Sequence, residues 1–301
     1  MSEPILLNVE HDTRYVYSAP VELAQHLAYL RPLEDEHQKL EVFEMGVEPV
    51  PAQHASSRDV FGNSRAYFTV TARHEALHVW AKSRVAVLPR YAALRPEATP
   101  AWEAVRDRLH YAAGAPYEPA SEFVAPSPYV PRLRELAEYA AVDFTPGRPL
   151  AEAAVALMQR IHAEFSYSSE ATEVNTPVID AFRQKRGVCQ DFAQVMIGGL
   201  RGLGLAARYV SGYLLTEPLP GEAKLQGADA SHAWVAVYCP DSGLPADWLE
   251  LDPTNDMLPA CSHVRLAVGR DYGDVTPLRG VIRGGGDDHT LAVRVHTERL
   301  V

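Results

Sequence analysis

Three residues far apart in this 301-residue chain have the types that nucleophilic catalysis requires: Cys189, His232 and Asp252. Cys189 lies in the stretch Gly187-Val188-Cys189-Gln190-Asp191-Phe192-Ala193. From Gln190 onward, Phe192, Met196, Gly199, Leu200 and Leu203 recur at spacings of three and four, which predicts a helix with one buried face. Cys189 therefore opens a helix, where free amides and the positive end of the dipole favour a thiolate. Taken alone, such a cysteine also reads as a small buried hydrophobe. Two later segments favour the nucleophile. Ser231 to Tyr238 is rich in β-branched and aromatic residues and reads as a strand with His232 at its entrance. Cys239 to Pro245 carries turn chemistry, and Asp247 to Asp252 reads as the returning strand. In an antiparallel hairpin centred on residue 242, His232 lies beside Asp252. A carboxylate there holds one imidazole nitrogen and leaves the other for a thiol.

The blocks GVCQDFA, SHAWV and LDPTN resemble the transglutaminase-like superfamily, whose papain-related core uses Cys, His and Asp in this chain order. The resemblance implies Cys189 as nucleophile, His232 as general base and Asp252 as the group that orients it. ARYVSGYL (Ala207 to Leu214) and GRDYGDVTPLRG (Gly269 to Gly280) extend it to the bacterial branch, which also carries an N-terminal β-rich domain. The fold class implied is α+β: a papain-like transglutaminase core, with the cysteine helix packed on an antiparallel sheet, preceded by a small β-sandwich-like domain. By resemblance alone, Arg270, Asp271 and Tyr272 line the cleft, with a structural ion pair as the alternative.

The elements that must position these residues fall into three parts: a β-rich domain over 1–95, a helical and proline-rich linker over 96–149, and the catalytic core over 150–301. Strands are predicted at Ile5 to Val9, Thr13 to Tyr17, Leu40 to Val47, Ala66 to Ala72 and Leu77 to Leu88. Helical spacing after Thr99-Pro100, over Arg132 to Ala140, over Leu150 to Phe165 and after Thr176-Pro177 predicts four helices before the cysteine helix. Ala206 to Leu214, Val264 to Val268 and Thr290 to His296 read as further strands of the core. The polar segment between Thr216 and Ala230 is long enough to shape a binding site or to form a surface excursion.

His74-Glu75-Ala76-Leu77-His78 matches the HExxH zinc signature, which requires a helix. Its flanks are strand-like, so a hairpin turning near His74 to Ala76 explains it better and no metal site is assigned. Gly284-Gly285-Gly286 lacks the lysine and the strand-to-helix setting of a phosphate loop. No cofactor is expected.

Composition sets the remaining bounds. Apolar residues make up 47%, enough for proper cores in two domains. With 39 acidic and 28 basic residues the net charge is −11, which disfavours nucleic acid and anionic membranes as partners. The start of the chain lacks a basic region followed by an apolar stretch, so a cytoplasmic location is expected. Three cysteines, 189, 239 and 261, without CxxC spacing suggest neither a disulfide framework nor zinc.

The expected chemistry is acyl transfer on a peptide or protein amide through a thioester, resolved by water. Cross-linking by transfer to an amine and a non-catalytic peptide-binding module are the alternatives. An oxyanion needs donors. The backbone N–H of Cys189 is the first, and the side chain of Tyr167 or Gln190 is the candidate second.

Overall fold

The computed structural model describes residues 3–114, 116–216 and 231–300. Its spine is one strand, β1 (Ile5–Ala28), 24 residues long, where the sequence suggests two. Ser18-Ala19-Pro20 looks like a break in the pattern, but the strand only bends there. On one edge of β1 lie β4 (Ser64–Val70) and β5 (His74–Val87), end to end. β2 (Gln38–Glu48) pairs with β5 and β3 (Gln53–Arg58) with β4. The bent sheet folds over a small core of its own in which Val21, Ala24 and Ala28 from one half of β1 meet Leu77 and Val79 from β5.

This arrangement corrects two expectations. His74 to Ala76 is not a hairpin turn, because His74 already opens β5 and the chain continues along β1 past Thr71 to Arg73. The C-terminal strands do not belong to the core sheet. β12 (Leu278–Gly284) and β13 (His289–Arg299) return to the free edge of β1 and pair along it from Ala28 to Leu7. The first sheet thus draws strands from both ends of the chain, and a core running from 150 to 301 is too long.

The second layer is a four-stranded antiparallel sheet ordered β10 (Trp248–Leu251), β9 (Ser231–Tyr238), β8 (Ala207–Leu214) and β11 (His263–Gly269). Helix α5 (Cys189–Gly202) packs against β8 and β9. Around it lie α1 (Trp102–Arg108), α2 (Arg134–Ala141), α3 (Leu150–Glu164) and α4 (Val178–Gln184), with the short α6 (Tyr272–Val275) after β11. Two-residue strands, β6 (Ser166–Tyr167) and β7 (Arg186–Gly187), pair in parallel just before the cysteine. Among the described residues, no helix is long and apolar enough to cross a membrane.

Helix α2, expected in a linker, is part of the core. A side chain at Gly199 of α5 would put its Cβ 2.9 Å from Ala140 Cβ and 3.2 Å from the Leu136 carbonyl, and one at Gly202 would lie 2.6 Å from Ala137 Cβ. The two helix backbones therefore approach as closely as glycine permits, and this contact sets where the cysteine helix lies. Gly199→Val must push α2 away and is expected to lower stability by about 2 kcal/mol, the usual scale of overpacking. Urea unfolding of the two proteins checks this.

Candidate active site

Cys189 is the first residue of α5 and half-buried, as helix-start chemistry requires. The turn before it depends on Gly187, where a Cβ would lie 2.3 Å from Asp191 Oδ2. That oxygen accepts hydrogen bonds from the Val188 N–H at 2.8 Å and the Thr172 hydroxyl at 2.6 Å, closing the first turn of the helix. Burial raises the Asp191 pKa, and those two hydrogen bonds oppose it.

His232 opens β9 opposite Gly212, and its Nε2 lies 2.7 Å from Asp252 Oδ2. The Cys189 thiol interacts with the same imidazole. With Nε2 committed to the carboxylate, Nδ1 is the nitrogen left for sulfur. The three residues named from the sequence are thus brought together as one chain of contacts. Burial disfavours the charged ring, but the bonds to Asp252 and Cys189 and their negative charges outweigh it, and the pKa is pushed up to about 10.

The hairpin register differs from the expected one. Trp248 pairs with Tyr238 and Leu251 with Val235, so the hairpin centres on Gly243, one residue later. The pairing shifts by two, which preserves the face on which each side chain lies. Asp252 sits just past β10 in a bridge with Met257 and reaches His232 diagonally.

The Asp252 carboxylate is fully buried. Oδ1 accepts from the amides of Thr254 at 3.0 Å and Asn255 at 3.3 Å, an Asx-type turn built from the Asp-Pro-Thr-Asn run. Oδ2 takes His232, the Asn255 side-chain amide at 2.7 Å, and Nε2 of His263 at 3.1 Å. Burial opposes ionisation, but these donors prevail and hold the carboxyl well below the usual carboxylate range. His263 and Asn255 were not assigned roles from the sequence. The available signal was that His263, like His232, stands at the entrance of a predicted strand. His232, Asp252 and His263 offer donor atoms within 4.8 Å of one another, the one such group among the described residues that can take a metal ion. As they stand, their nitrogen–oxygen contacts are satisfied as hydrogen bonds.

Of the oxyanion candidates, Tyr167 pairs with Gly187 through the β6–β7 bridge and is 58% exposed, with its ring 6.5 Å from that of Phe192. Burial of part of the phenol, followed by the charges of Cys189 and Asp191, raises its pKa. Gln190 is buried, and its Nε2 already donates to the Val174 carbonyl at 3.0 Å. Arg270 is ion-paired with Asp274 at 2.9 Å, and buried Asp271 caps α6, so both act structurally at the far end of β11. The segment 217–230 lies outside the described residues. His74 and His78 stand four residues apart on strand β5, about 13 Å, too far to share a zinc ion.

Two family models match the chain: the bacterial transglutaminase-like N-terminal region over residues 7–86 and the transglutaminase-like superfamily over residues 139–253. An uncharacterized protein of Mycobacterium tuberculosis (strain ATCC 25618 / H37Rv) is 39% identical over 289 residues, covering 95% of this chain and 90% of that protein. The chain belongs to the transglutaminase-like superfamily. A protein-glutamine gamma-glutamyltransferase of Pseudomonas aeruginosa is 32% identical over 132 residues, 43% of this chain and 19% of that protein. The crystal structure of a candidate cysteine protease from Cytophaga hutchinsonii superposes with a TM-score of 0.74 at 19% identity, covering all of this chain and 92% of that one, a likeness of fold. The transglutaminase-like fold accounts for the order of elements carrying Cys189, His232 and Asp252.

Two measurements follow from the electrostatics. Because the His232 pKa is raised in the fold, its contribution to stability is complete below about 6.5 and is lost as pH rises through about 10. The stability difference between the wild type and His232→Gln, from urea unfolding at a series of pH values, should therefore shrink across that window. Burial also raises the Cys239 thiol to about 11 and raises Cys261. Iodoacetamide at pH 6 should label Cys189 well before either, read by peptide mass spectrometry; equal labelling of all three contradicts the assignment.

Proposed function

We propose that this protein is a cysteine-dependent enzyme that cleaves peptide or protein amides through a thioester, with water as the acceptor. The observation that carries the reading is His232 held by Asp252 at 2.7 Å while the same ring interacts with the Cys189 thiol. In the first half-reaction the Cys189 sulfur attacks the amide carbonyl carbon, forming the S–C bond. The proton held by His232 passes to the leaving nitrogen as the C–N bond breaks. In the second, His232 takes a proton from water, the resulting hydroxide attacks the thioester, and the proton returns to the departing sulfur. Asp252 keeps the ring in one tautomer and stabilises its charge throughout.

The oxyanion of each tetrahedral intermediate is held by the Cys189 N–H at the head of α5 and by the Tyr167 hydroxyl. Tyr167 is favoured over Gln190 because its side chain is exposed and feels the Cys189 charge, whereas the glutamine amide is spent on Val174.

Hydrolysis is the preferred outcome because the likeness of fold is to a protein described as a candidate cysteine protease. The second reading, γ-glutamyl transfer to an amine, is supported by the match to the Pseudomonas enzyme. A silent peptide-binding module would have no need of an imidazole fixed by a buried carboxylate beside a thiol. The substrate is a peptide or protein, with no nucleic acid or membrane partner, given the net charge of −11. The proposed location is the cytoplasm, where the thiol stays reduced.

Cys189→Ala should abolish turnover of a peptide library while leaving the unfolding transition in place, since only a small half-buried side chain is lost. Adding a primary amine to the wild type separates the two readings by product mass: free acids indicate hydrolysis, amine adducts transfer. Activity surviving in Cys189→Ala rejects both.

A further inference from the structure

The four-stranded sheet has two ends, and only one carries the triad. At the other, where β9 closes at Tyr238 and β10 opens at Trp248, lies a cleft of about 1330 Å³ between the two layers of the fold. It stands about 20 Å from His232 along β9. One wall comes from the β3–β4 loop, which is pinned to the core. The buried Asn63 amide donates to the Val268 carbonyl at 2.7 Å and accepts from the Val268 N–H at 2.8 Å. The cleft is therefore built in advance of any ligand.

Arg208 lines the cleft, and behind it two further arginines, 90 and 265, meet two carboxylates, Asp35 and Glu250. Arg90 pairs with Asp35 through two nitrogens at 2.9 and 3.1 Å. Arg265 contacts Asp35 and lies 3.4 Å from Glu250, whose other oxygen accepts from the Trp234 indole at 2.8 Å. Among the described residues Arg208 makes no ion pair, and Glu250 acts on it only as a more distant charge. Its guanidinium lies over the Trp248 ring, 4.0 Å from the centroid, and its buried Nε has no hydrogen-bond partner. Burial pulls its pKa down to about 10.

The other arginines of the cleft are engaged: Arg270 with Asp274, Arg279 with the Gly273 carbonyl, Arg65 with the Ser57 hydroxyl, and Arg58 with the Gly62 carbonyl at 3.5 Å. The opposite rim is acidic. Asp247, whose pKa is raised by burial and then by the charges of Asp241 and Glu118, faces the same space as Glu118. A multiply charged anion such as a polyphosphate meets repulsion there, whereas a single planar carboxylate matches one guanidinium. Phe123, Tyr238 and Trp248 give the space between the two charges an aromatic lining.

We propose that this cleft binds a short peptide by its free C-terminal carboxylate. Arg208 takes the carboxylate, the aromatic wall takes an apolar last side chain, and the acidic rim takes the ammonium. The site is separate from the triad and does not depend on the reading of its chemistry. A free aromatic acid presents the same carboxylate on an apolar body, and the test separates the two sources.

Calorimetric titration of the full chain carrying Cys189→Ala, which excludes turnover, uses four probes: alanyl-alanyl-phenylalanine, its C-terminal amide, its N-acetyl form and phenylacetate. The free tripeptide should bind at least ~10-fold more tightly than its amide, the scale of a charge-assisted bidentate pair. Adding Arg208→Gln should remove that preference, and acetylating the amine should weaken binding. Equal binding of acid and amide overturns the proposal, and because that comparison uses unaltered Arg208 it stands even if Arg208→Gln does not fold. Retention of the acid preference in a folded Arg208→Gln variant also overturns it. Phenylacetate binding as tightly as the tripeptide overturns the peptide as occupant.

Discussion

The site depends on one buried carboxylate. Asp252 has no contact with solvent and would be costly to ionise there without donors on both oxygens. Two backbone amides, a side-chain amide and two imidazoles supply them. The consequence reaches Cys189: a carboxylate fixed from several sides holds the His232 ring by Nε2 and leaves Nδ1 uncommitted to Asp252. His263 acts at one remove, by holding the oxygen that holds His232. This places part of the positioning machinery on β11, on the far side of the sheet order from β10, which carries the chain into Asp252.

The scaffold keeps these parts in register by close contacts. The glycines of α5 bring α2 against it, so the helix that presents the thiol is clamped between the β8–β9 face and a neighbouring helix. The two layers are joined by polar contacts as well as packing. Tyr213 of the core sheet hydrogen-bonds buried His11 of β1 at 3.0 Å, and Gln38 donates to the Arg265 carbonyl at 2.9 Å and accepts its N–H at 2.8 Å. Burial lowers the His11 pKa to about 4, which keeps that ring neutral at ordinary pH. The arginine–carboxylate group around Glu250 continues the seam toward Arg208 at the cleft.

Much of the site was legible because its signals are local. A 3.6-residue period marks α5, turn residues separate β9 from β10, and cysteine, histidine and aspartate have few other reasons to occupy those positions. The failures share a cause. The hairpin pairing differs by two residues because several turns fit the run from Cys239 to Asp247, and pairing along the strands selects among them. A turn near His74 to Ala76 is expected and not found because strand patterning does not tell a reversal from a strand continuing past an irregular step. Helix α2 was assigned to a linker because a glycine face shows its purpose only when the opposing helix is known.

The sequence by itself determined the family, the cysteine helix and the strands that carry His232 and lead into Asp252. These follow from the periodicity, capping and reactivity of neighbouring residues. Only the tertiary structure decided that His263 and Asn255 share the burden of Asp252, that β12 and β13 return to the first strand, and that the Arg208 guanidinium lies over Trp248 with its Nε unpartnered. Each of those depends on which distant groups meet in a buried place, where hydrogen bonds and charges must balance among whatever the fold brings together. Local pattern carries no information about that balance.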